Sequence, residues 1–84
     1  MASCEELIFT AVDRSHFECI VNKAESVGLP ISGDEGEAGR NGFTVRWAFA
    51  EHDNTLRIQC VDSPILVPCS VISAKLVSLV EGCR

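Results

Sequence analysis

The 84 residues carry twelve acidic side chains against seven basic ones, a formal net charge of −5, with 46% hydrophobic and 23% charged content. That balance excludes disorder throughout, and the negative charge repels a phosphate backbone over most of the surface, so no nucleic-acid partner is expected. A chain this short buries only about 60–65% of its unfolded surface, which leaves a small core and no room for a large internal cavity.

The chain opens Met1-Ala2-Ser3-Cys4-Glu5-Glu6, an acidic start unlike a basic, apolar export signal. No apolar run approaches the roughly 20 residues that span a membrane, so no membrane partner and a cytoplasmic location are expected. Five cysteines, at 4, 19, 60, 69 and 83, are odd in number and never spaced Cys-x-x-Cys. Without an export signal this pattern predicts reduced thiols packed as small apolar residues.

Glu6 to Val12 places apolar side chains on both sides and reads as a strand. Asp13 follows as an N-cap, since its carboxylate can accept from the free amides of a first helical turn. Phe17, Ile20, Val21, Ala24 and Val27 then recur at three- and four-residue spacing. This predicts an amphipathic helix of about four turns, with His16 mainly off the apolar face and Gly28 as the left-handed stop.

Leu29-Pro30-Ile31 cannot easily continue the helix, because Pro30 lacks an amide hydrogen and holds Leu29 extended, so it is expected to run as a packed connector. Ser32 to Asn41 contains three of the six glycines, three acids and no large apolar side chain. A flexible Gly/acid-rich loop at about 32–41 is the reading.

Gly42 to Asp62 has the clearest period-two pattern. Phe43, Val45, Trp47 and Phe49 share one side of a strand, and Leu56, Ile58 and Cys60 share one side of the next. Glu51-His52-Asp53-Asn54 supplies the turn. After Asp62-Ser63-Pro64, Ile65-Leu66-Val67 is an apolar tripeptide caught between prolines. Pro68 begins a helix through Val71, Ile72, Leu76, Val77, Leu79 and Val80 to Gly82.

The order β-α-β-β-α predicts an α+β fold in one domain over 1–84, a small three-stranded, mostly antiparallel sheet with two helices packed on one face. Setting the first strand beside the last makes every pair antiparallel, and a parallel pairing of the first two strands is the alternative. The apolar arc of the last helix is wider than one sheet covers. Either it lies between the sheet and the first helix, or a second copy of the chain meets it, giving a homodimer through this helix or the sheet.

Candidate sites are few. On the open face of the sheet, Thr44, Arg46, Arg57 and Gln59 form a patch whose guanidiniums could hold a carboxylate or phosphate, although Glu51 and Asp62 could instead neutralise them on an ordinary solvated face. Base stacking is not expected there, because the aromatics fall on the other parity. Cys69, in the first turn of a helix, would feel unpaired amides that favour thiolate; packing as a small apolar residue is the plainer alternative. Neither the dispersed Cys60, Cys69 and Cys83 nor Asp34, Glu35 and Glu37 have the spacing of a metal site, and no motif points to a cofactor.

A non-enzymatic interaction module is the leading expectation, its partner a protein or a small anionic ligand. A thiol-dependent redox sensor or enzyme using Cys69 is the alternative.

Overall fold

A computed structural model describes residues 3–40, 42–64 and 66–83 of the chain. In chain order it contains β1 (Leu7–Phe9), α1 (Arg14–Ser26), β2 (Glu35–Arg40), β3 (Phe43–Ala50), β4 (Thr55–Asp62) and α2 (Cys69–Glu81). The sheet runs β1-β4-β3-β2, with every neighbouring pair antiparallel. The α+β class and the place of the first strand beside the last agree with the sequence reading, but there are four strands rather than three.

The β3–β4 hairpin follows its alternation. Val45 faces Cys60, Trp47 faces Ile58 and Phe49 faces Leu56 across the ladder, and all six are buried. Asn54 closes the turn in the left-handed region at φ 50°, which a short polar side chain tolerates. Phe17, Ile20 and Ala24 of α1 and Ile72, Leu76 and Val80 of α2 join the same core.

Local capping sets the ends of α1. The Asp13 carboxylate accepts from the His16 amide at 2.8 Å, and Gly28 stands at φ 85° just beyond the helix. Contrary to the wheel reading, His16 is buried, because its Nε2–H donates to the Val80 carbonyl of α2 at 2.7 Å. β1 is shorter than the expected Glu6–Val12 span. Ala11 turns the chain at φ 56°, which sends Val12 into the core and frees Asp13 to cap.

The largest departure is β2, which occupies most of the expected loop; Asn41 at its end lies outside the described residues, as does Ile65 in the apolar tripeptide. Gly36 pairs with Trp47, and a Cβ on it would stand 2.9 Å from the indole ring. The same ring donates its Nε1–H to the Gly33 carbonyl at 3.1 Å. β2 therefore carries glycine at this inward position because the Trp47 side chain already fills that space, and its next inward residue is the small Ala38, opposite Val45. A strand built this way lacks the β-branched and aromatic signature by which strands are read.

Arg14 ties this edge to the helix layer. Its guanidinium donates to both Asp34 oxygens at 2.8 and 2.9 Å and to Glu51 at 2.7 Å. It also lies 5.0 Å from the centre of the Phe49 ring, which stacks on Phe17 with centroids 4.4 Å apart. The two-pronged hydrogen bond from Arg14 holds the Asp34 carboxyl below the ordinary aspartate range, and the same bonds push the Arg14 value further up.

Two disulfides replace the expected reduced thiols. Cys4 is bonded to Cys69 and Cys19 to Cys83, with Cα atoms 5.5 and 5.8 Å apart, and Cys60 is the free, buried cysteine. The pairing follows from topology. The Cys4 amide donates to the Cys60 carbonyl at 2.9 Å, which lays the N-terminal tail along β4, and α1 packs against α2. Cysteines 65 and 64 positions apart are thus brought together, which no short-range spacing reveals. Loops of this length restrict the unfolded chain by about 4 kcal/mol for a single cross-link.

Two stability measurements follow. Asp34 has a folded value below its unfolded one, so its contribution is complete above about pH 4 and fades as pH falls through the folded value. Thermal unfolding between neutral pH and about pH 2 should show a decline that is shallower in Asp34→Asn than in the wild type. The Cys19→Ser, Cys83→Ser double variant should melt roughly 15–30 °C below the parent in the same scan, given that 1 kcal/mol shifts a domain of this size by about 4–8 °C.

Candidate functional site

Among the described residues, three places have chemistry that could meet a ligand: the open face of the sheet, the start of α2, and a groove where the end of α1 approaches α2.

On the open face, cross-strand pairing brings Arg46 opposite Gln59 and Ala48 opposite Arg57. Arg46, Arg57 and Gln59 line one shallow depression of about 270 Å3, while Thr44 lies outside it, beside the register shift between Thr44 and Val45. The small side chain of Ala48 makes the floor. Neither guanidinium stands alone: Arg46 donates to Glu37 at 3.0 Å and Arg57 to Glu6 at 3.2 Å. Gln59 donates to the Cys4 carbonyl at 2.7 Å. With Glu35 also at the rim, three carboxylates face two guanidiniums. An arriving carboxylate or phosphate would have to displace acids already seated there, which raises its cost at a solvent-open site.

Cys69 lies in the first turn of α2, as the sequence predicts, with Pro68 as the N-cap and not the first helical residue, but its sulfur is bonded to Cys4. While that bond is intact there is no thiolate for the helix to stabilise. The free thiol, Cys60, is 1% exposed, and burial pushes it above the ordinary thiol range. Its Sγ–H donates to the Asp62 carbonyl at 3.2 Å, so it behaves as a core residue.

The groove is the site that the linear reading misses. Val27 and Leu29 from the end of α1, Phe43 and Val45 from β3, and Ile72 and Leu76 from α2 line an open groove of about 250 Å3. Gly28 sits in its wall, with the Arg40 guanidinium of β2 packed so closely over it that a Cβ would stand 2.6 Å from Cζ. Lys75 of α2 also lines the groove. Val27, expected on the buried side of α1, is 71% exposed, because the helix ends there and the chain turns away at Gly28.

The ion pairs distinguish this groove from the sheet face. Arg14, Arg46 and Arg57 pair with carboxylates, and the Lys23 ammonium donates to the Gly82 carbonyl at 3.1 Å. Among the described residues, Arg40 and Lys75 have no carboxylate partner, and no acid lines the groove. The sequence hints at this only through the broad apolar arc of α2, since the walls come from three elements up to 49 positions apart, from Val27 to Leu76.

Comparison of the chain with protein-family models, with curated proteins and with solved structures finds no match in any of the three.

Proposed function

We propose that the chain is a non-enzymatic binding module that receives an apolar group in the groove between the end of α1, β3 and α2. The observation that carries this reading is the groove's combination of an apolar lining from three elements with an open mouth bordered by an exposed valine. Its volume of about 250 Å3 lies just under the range typical of small-molecule pockets, so the group it receives is small. The paired arginines of the sheet face weigh against that surface as the main anion site. The two disulfides support work in oxidising surroundings over the cytosol, since such bonds persist where thiols are not kept reduced.

The test is binding of a neutral, environment-sensitive dye, N-phenyl-1-naphthylamine, to the oxidised chain. Its emission should rise and shift to the blue with the wild type. Val27→Trp, which places an indole at the exposed mouth without touching the core, should weaken binding at least about tenfold, the factor that 1.4 kcal/mol produces. No dye response, or equal affinity in Val27→Trp with its melting temperature unchanged, would remove the groove as the binding site.

A further inference from the structure

Resting on the groove as the binding site, we infer that its ligand is a small anionic amphiphile, a free carboxylic acid with a short aliphatic tail. The tail is set by the walls: Ile72, Leu76 and Val45 offer only apolar atoms, and about 250 Å3 limits the chain to a short one. The head is set by charge. In a chain of net charge −5, Arg40 and Lys75 are the described cations left without a carboxylate or carbonyl partner, and both border this one apolar space.

The two cations are suited to different parts of one carboxylate. The guanidinium of Arg40 is held against the Gly28 backbone, and its planar fork can donate two parallel N–H bonds to a carboxylate. Lys75 reaches from α2 as a compact, flexible point charge that can follow the head group. Gly28 has a second role here. A side chain at this position would push the Arg40 guanidinium aside, and its φ of 85° already disfavours one. A neutral ligand of equal size would use the walls alone.

Displacement of the neutral naphthylamine dye separates this inference from the groove reading. Octanoate should displace the dye about tenfold more tightly than 1-octanol, a margin in line with two partly exposed ion pairs. Acetate, which has the head without the tail, should not displace it. In the Arg40→Gln, Lys75→Gln double variant, with displacement measured against that variant's own dye affinity, octanoate should lose its advantage over 1-octanol. Raising the salt to about 1 M, where the screening length falls to roughly 3 Å, should erode the same advantage.

Octanol matching octanoate in a chain that still binds the dye would overturn the ligand class and leave the groove reading standing. A chain that binds no dye would end both. Tighter displacement by acetyl-Ala-Leu bearing a free carboxylate than by octanoate would assign the groove to a peptide C-terminus and overturn the inference. Binding to phosphatidylglycerol vesicles with no response to free octanoate would overturn it in favour of a membrane surface.

Discussion

The fold depends on tying the segment before β1 and the residues after α2 onto the body of the domain. A core of this size stabilises a chain only marginally, and small domains of this kind commonly add covalent links. Cys4–Cys69 fixes the tail that leads into β1, a strand of three residues, against the start of α2. Cys19–Cys83 fixes the end of α2 against α1. Without these ties, β1 would have little of its own to hold it, and α2 would rest on one row of buried side chains. Arg14 does by hydrogen bonding at the opposite edge what the disulfides do covalently, joining α1, the start of β2 and the turn after β3 through one guanidinium.

What could be read from the sequence was what depends on neighbours a few residues apart. Asp13 as a cap, Gly28 as a stop and the inward set Val45, Trp47, Phe49, Leu56, Ile58 and Cys60 are all local patterns, and they stand in the structure as read. The features that could not be read join residues far apart. The partners of Arg14 lie 20 and 37 positions away, and each disulfide spans more than 60. β2 is a third case, because the space a side chain at Gly36 would fill is taken by Trp47, so the residue there reports the partner's bulk and not the strand. The site divides the same way. Alternation alone assembled Arg46, Arg57 and Gln59, but their neutralisation by Glu37 and Glu6 and the meeting of Arg40 with Lys75 needed the third dimension.

The sheet face and the groove use the same residue types to opposite effect. Arginines beside glutamates in open solvent are already satisfied, and they give a mixed-charge surface with little drive to take an anion. A guanidinium and an ammonium beside apolar walls, with no acid among the described residues lining them, are not neutralised in this way. The distinction lies in the neighbours and not in the cations themselves.

The contact between Gly36 and Trp47 has an optical consequence. The chain has one tryptophan, and its indole lies under the outer strand of the sheet with its N–H committed to the Gly33 carbonyl. Lifting β2 from β3 would wet that ring and break its hydrogen bond while the rest of the core stays closed. Because Arg40 stands at the far end of the same strand, the intrinsic fluorescence of Trp47 is a built-in gauge of the edge that carries the groove's guanidinium, readable without any label.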